Sequence, residues 1–132
     1  MTIELYALTA LTLLASSLWI PYIVGVNTSP SGSTDFSRPQ DPSVHPAWVH
    51  RAFRAHLNLL EQGMPFAVMI LIAHLAGVST PVTVWASVLF LALRLVHAVG
   101  MISGLAVFPF RSVVFSLGWL CILAIGAVII MA

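Results

Sequence analysis

Four apolar stretches, separated by polar or helix-breaking segments, organise the chain. Each approaches the roughly 20 apolar residues that a helix needs to cross a bilayer. From Ile3 to Val26 the one formal charge is Glu4, and Trp19 and Tyr22 lie near the far end, where aromatic side chains suit a membrane interface. This predicts a first helix over 3–26. A cleavable leader is the competing reading; against it stand a Met-Thr-Ile-Glu start with no positive charge and a run longer than such leaders use. Residues 27–45 are rich in Ser, Thr and Pro (Pro30, Pro39, Pro42) and read as a long polar loop. A second helix over 46–77 opens polar at Pro46, turns apolar from Met64 to Ala76, and is expected to project beyond the bilayer. Gly77 to Pro81 reads as a short uncharged turn. A third helix over 81–103 is apolar except for Arg94 and His97, Ser103-Gly104 breaks it, and Pro109 opens a fourth over 109–131. No formal charge follows Arg111.

The pattern predicts an all-α integral membrane protein, a four-transmembrane-helix bundle forming one domain over 1–132. Composition agrees: of 132 residues 60% are hydrophobic and 7% charged, against about 25% charged in a soluble domain, which excludes a soluble globular enzyme. Five arginines, no lysine and a net charge of +1 offer no basic surface, so no nucleic acid partner is expected. The lone Cys121 lies in an apolar run, so neither a disulfide framework nor a thiolate metal site is expected. Arg38, Arg51, Arg54 and Arg111 fall on the side of the long loop and the third connection, whereas the Gly77–Pro81 turn has no cation. By the positive-inside rule both termini are then non-cytoplasmic, and the Asn27-Thr28-Ser29 sequon, kept in the cytoplasm, is a chance match. The absence of lysine beside abundant Ala, Leu and Val points to a GC-rich bacterial genome and hence to a bacterial inner membrane.

Against this apolar background the polar residues stand out. Arg51, Arg54, Asn58 and Glu61 are spaced 3, 4 and 3 apart, which at ~100° per residue confines them to an arc of about 80°. Arg51 has a bland alternative, a helix end snorkelling into headgroups. Glu61 sits deeper, and a carboxylate facing lipid there costs several kcal/mol, so it must face protein, ligand or water. Pro65 withholds a hydrogen bond from the Glu61 carbonyl, four residues back, and is expected to bend the helix beside the stripe. Arg94 and His97, at i and i+3, share one face, and an Arg94–Glu61 contact is expected because a buried arginine calls for a carboxylate. Pro109-Phe110-Arg111-Ser112 places a guanidinium and a hydroxyl in the first turn of the fourth helix, where the dipole favours an anion or thiolate. His45, His50, His56 and His74 do not converge, so no metal site is expected.

The segment Arg51-Ala-Phe-Arg54-Ala-His56-Leu-Asn58-Leu-Leu-Glu61, followed by Pro65-Phe66, resembles the second-helix signature of the MAPEG family, the membrane-associated proteins of eicosanoid and glutathione metabolism. It is similar in particular to that of microsomal glutathione transferases and prostaglandin E synthase. Arg94-Leu-Val-His97 resembles the family's third-helix RxxH, and Pro109-Phe-Arg111-Ser112 its PxRS. The resemblance implies a homotrimer with glutathione as co-substrate, bound between subunits near the cytoplasmic side. Arg51, Arg54, Asn58 and Glu61 would hold its charged ends, with Arg94 and His97 lining the cleft. Arg111 and Ser112 would be catalytic, activating the thiolate against a lipophilic electrophile arriving from the bilayer lipids. Met101 and Phe115 stand where well-studied members carry tyrosines, His50 stands where an acidic residue often precedes the first arginine, and the first loop is not basic.

The reading favours an enzyme, a glutathione-dependent transferase or peroxidase. The alternative is a non-catalytic binder of lipid or lipophilic ligand with the same fold, which Met101 and Phe115 favour by making the cleft greasier. A third possibility is a channel or small transporter that uses an Arg94–Glu61 pair as a relay.

Overall fold

The computed structural model describes residues 1–29, 37, 41–105 and 107–132. Pro30, Arg38 and Pro39, used above for the loop and the charge asymmetry, lie outside them. The chain order is α1 (Ile3–Ser17), α2 (Ile20–Thr28), a single 3-10 turn (Pro42–Val44), α3 (Ala47–Leu75), α4 (Pro81–Ser103) and α5 (Phe110–Met131). Four segments are long and apolar enough to cross a membrane: Ile3–Thr28, Ala47–Leu75, Pro81–Ser103 and Phe110–Met131. The described residues form an all-helical bundle.

The first span differs from the unbroken helix expected over 3–26, because Leu18 and Trp19 interrupt it. Pro21 is the cause: it has no N–H for the Ser17 carbonyl, its ring would crowd that carbonyl, and it settles instead in the first turn of α2. Backbone groups left without helical partners are costly in hydrocarbon, and local groups take up the slack. The Trp19 indole N–H donates to the Ser16 carbonyl (2.8 Å), and the Ser17 hydroxyl to that of Leu13 (2.8 Å).

Elsewhere the termini are closed by conventional devices. Thr80 and Thr83 form a capping box at the start of α4, and Gly104, at φ +84°, supplies the left-handed residue at its end. Gly25 permits the closest helix approach, since a Cβ there would lie 2.4 Å from Val49 Cγ2 and 2.8 Å from the Trp48 ring. That contact ties α2 to the start of α3.

α4 packs most extensively on α5 and also meets α3 and α1. The shared core holds Leu11, Leu59, Ile70, Met101 and Ile125 around a parallel stack of Phe66 and Phe90, with centroids 4.1 Å apart and planes 5° apart. The outer surface carries exposed Met64, Leu75, Trp85, Val99 and Ile130, as befits helices solvated by acyl chains. α3 runs through Pro65 as one helix of 29 residues, about 43 Å at 1.5 Å per residue.

The chain reversals leave the bundle with two ends. At one, the start of α3 and the end of α4 meet, joined by Arg51, beside the start of α5. At the other, the start of α1, the end of α3 and the start of α4 meet around Glu4.

Candidate functional site

The polar stripe of α3 is divided by the bundle. Asn58 is buried and Arg51 half-buried, whereas Arg54 and Glu61, on the outer flank of the same arc, are exposed. Arg51 has a defined structural task at the first end: its Nε donates to the Met101 carbonyl (3.1 Å) and its Nη2 to that of Ile102 (3.5 Å), across the last turn of α4. The guanidinium thereby adds a second donor to the Met101 carbonyl, which already accepts from Gly104 N (3.2 Å), and its charge complements the negative end of the helix dipole. It also packs over Gly104, where a Cβ would come within 3.2 Å of Cζ.

Arg94 is 1% exposed. Its Nη2 donates to the Val114 carbonyl of α5 (3.1 Å), and its guanidinium lies over the rings of Phe90 (5.4 Å) and Phe115 (5.7 Å). Such desolvated cation–π contacts are worth about 2 kcal/mol or more each. Nε and Nη1 are buried without a hydrogen-bond partner. This corrects the expected Arg94–Glu61 contact, for Glu61 points outward from α3 while Arg94 turns toward α5. The proposed relay loses its pair with it. Helical spacing identified the face of each residue but not the neighbour that the face meets.

Gln62, absent from the sequence reading, completes the inner edge. Its Nε2 donates to the Phe115 carbonyl (3.1 Å), and its Oε1 is buried without a partner. Both Gln62 and Arg94 close on Gly118, where a Cβ would lie 2.7 Å from Arg94 Nη2 and 2.7 Å from Gln62 Oε1. A side chain there would displace the ends of both. Gln62 follows Asn58 by four residues and Arg51 by eleven, a helical progression that was available in the sequence; the two charged groups on the outer flank drew attention from it. His97, 2% exposed, has its Nε2 unpartnered, as does the Nδ2 of Asn58. Buried polar atoms are ordinarily hydrogen-bonded, and at this end several are left without a partner from the chain itself.

Beside these residues a cavity of about 330 Å³ is lined by Asn58, Arg111, Ser112, Phe115 and Ser116. Arg111 and Ser112 are exposed in the first turn of α5, which has no side-chain cap. Two of its N–H groups are already used, Arg111 N by the Val107 carbonyl (3.1 Å) and Val113 N by that of Pro109 (3.0 Å). The guanidinium of Arg111 and the hydroxyl of Ser112 are then the chief donors that this turn offers to the cavity. The structure thus brings Asn58, Arg111 and Ser112 to one cavity, places Arg94 and His97 within the protein, uses Arg51 as a cap, and leaves Arg54 and Glu61 on the outer face. Among the described residues no group of His, Cys, Asp and Glu is arranged to hold a metal ion.

The family model described as MAPEG family matches residues 6–131. The chain belongs to the MAPEG family. No curated protein matches the chain. A MAPEG chain with four helices of spanning length is an integral, multi-pass membrane protein. Within this MAPEG protein, the positions that depart from the usual tyrosines are both structural: Met101 is buried and lends its carbonyl to Arg51, and Phe115 walls the cavity and covers Arg94.

Proposed function

We propose that this MAPEG protein is a glutathione-dependent transferase or peroxidase for lipophilic electrophiles, working as a homotrimer with the tripeptide held between neighbouring copies. The observation that carries the reading is the cavity shared by Asn58, Arg111 and Ser112. A guanidinium, a hydroxyl and an amide there suit a ligand with carboxylates and a thiol. Assembly is favoured by Glu61, the central residue of α3, which is exposed beside Leu60 and Met64. A carboxylate facing acyl chains at that depth costs several kcal/mol, and a second copy laid on this face would cover it. Arg54 and Glu61 of one copy would then complete a cleft begun by Asn58, Arg111 and Ser112 of the next.

The chemistry follows from charge. A free thiol has a pKa of about 8.5 and is mostly protonated at neutral pH. Arg111 stabilises the thiolate, the proton leaves through the open cavity to water, and Ser112 donates a hydrogen bond that orients the sulfur. The sulfur lone pair then forms the bond to an electrophilic carbon as that carbon's bond to a leaving group breaks. With a peroxide it attacks an oxygen, so that the O–O bond breaks and the alkoxide leaves as the alcohol with a proton from water; a second glutathione then reduces the sulfenic acid to the disulfide, releasing water. The arginine end would face the cytoplasm of a bacterial inner membrane, leaving both termini on the other side.

Adding glutathione to the purified protein is expected to raise thiolate ultraviolet absorbance in the wild type and not in Arg111→Ala. Undiminished absorbance or turnover in that variant would remove Arg111 from its role. Glu61→Gln is expected to weaken glutathione binding or assembly; if neither changes, the carboxylate is merely tolerated. A second reading, a non-catalytic binder of lipid or lipophilic ligand, is favoured by the aromatic wall that Phe115 supplies. Absence of glutathione binding up to millimolar concentration would select it.

A further inference from the structure

The other end of the bundle holds a second buried ion that the transferase chemistry does not use. Glu4, in the first turn of α1, is 4% exposed. Its Oε1 accepts hydrogen bonds from the hydroxyls of Ser79 (2.8 Å) and Thr83 (2.7 Å). Its Oε2 is buried and takes no hydrogen bond from the protein. The remaining oxygen calls for a hydrogen-bond donor, and a cationic one makes the strongest bond to a carboxylate.

Glu4 lines a cavity of about 180 Å³ together with Thr2, Ala73, His74, Val78 and Ser79. At ~30 Å³ per water molecule, that is room for a short-stemmed group and little more. Its walls are part apolar and, among the described residues, no cluster of ionisable side chains is arranged around a metal ion, whereas hard cations take six or more oxygen ligands. An organic ammonium on a two-carbon stem suits both the size and the mixed lining. His74, exposed in the last turn of α3, contributes a ring N–H at the rim that can reach a phosphate oxygen. The chain neighbours of these two residues, Ile3 (53% exposed) and Leu75 (86% exposed), are apolar and face outward, so the cavity lies beside an apolar outer surface.

We propose that this cavity binds the aminoethyl phosphate head of an ethanolamine phospholipid, with the ammonium on Glu4 Oε2 and the phosphate at His74. A choline head is disfavoured by the same chemistry, because its trimethylated nitrogen has no N–H to give to Glu4 Oε2. The lipid would pin the start of α1 to the turn between α3 and α4 from the membrane side.

The test is native mass spectrometry and thermal melting of the full-length, delipidated protein in detergent, with dioleoyl phosphatidylethanolamine, the matching phosphatidylcholine, or soluble phosphoethanolamine added. The expected result is preferential retention of the ethanolamine lipid and a raised melting midpoint, with the choline lipid doing neither. Glu4→Gln, which keeps an acceptor for Ser79 and Thr83, and His74→Ala are each expected to cut retention at least tenfold. If Glu4→Gln does not fold, the exposed His74→Ala and the lipid comparison decide alone. Equal retention of both lipids, or undiminished retention in His74→Ala, overturns the proposal. Saturable binding of phosphoethanolamine without binding of the lipid overturns the lipid as its source.

Discussion

The two ends of the bundle treat buried charge differently. At the turn end, Glu4 is gripped by two hydroxyls, that of Ser79 in the turn before α4 and that of Thr83 in its first turn, where Thr83 accepts from Thr80 N (2.9 Å) while donating to the carboxylate (2.7 Å). One carboxylate oxygen is left over. At the arginine end, the guanidinium of Arg94 makes one hydrogen bond, and Asn58, Gln62 and His97 all keep buried atoms unspent. Folding alone completes most of the first site and little of the second. The lesson is that polarity in a membrane bundle can serve to fasten helices or to await something, and the hydrogen-bond tally separates the two.

The largest effect is expected from crowding the arginine end. Gly118→Val places carbon where Arg94 and Gln62 already sit, and destabilisation of about 2–3 kcal/mol, with their buried hydrogen bonds displaced, should appear as a lowered thermal midpoint in detergent. Next is the fastening at the turn end. Thr83→Val removes a hydroxyl from a buried carboxylate and should cost about 2 kcal/mol by the same measurement. Arg51→Met uncaps α4 and should cost about 1–2 kcal/mol, with faster amide exchange confined to the turn around Met101 to Gly104. The smallest stability change is expected of Arg94→Met. Removing the guanidinium gives up one hydrogen bond and two cation–π contacts but also relieves the desolvation of a buried cation, so the net change should stay within about 1 kcal/mol. Loss of its hold on Phe115, which walls the cavity, should meanwhile weaken ligand binding at that end. A large loss of stability in Arg94→Met with binding intact would make Arg94 a fastener like Glu4 and erase the contrast.

The helical bundle was legible because membrane-spanning helices announce themselves by length and apolarity, and the arginine-rich end because charge is so scarce in this chain. Three features were not. The break at Leu18 and Trp19 was hidden because Pro21 lies within an apolar run whose length alone suggested one helix. The partner of Arg94 was misread because, with Glu61 the remaining carboxylate at hand, charge complementarity seemed to demand it, whereas a backbone carbonyl and two aromatic faces met part of the need. Gln62 and Gly118 went unseen because a close approach between two helices depends on their register, which periodicity within either helix does not contain.

The most direct test of the contrast is calorimetric titration of glutathione into the detergent-solubilised wild type, Arg111→Ala, Arg94→Met and Thr83→Val. The account predicts saturable binding in the wild type, loss of at least tenfold in affinity in both arginine variants, and affinity unchanged in folded Thr83→Val. Equal binding in all four, or none in the wild type, would contradict the assignment of the arginine end as the ligand site.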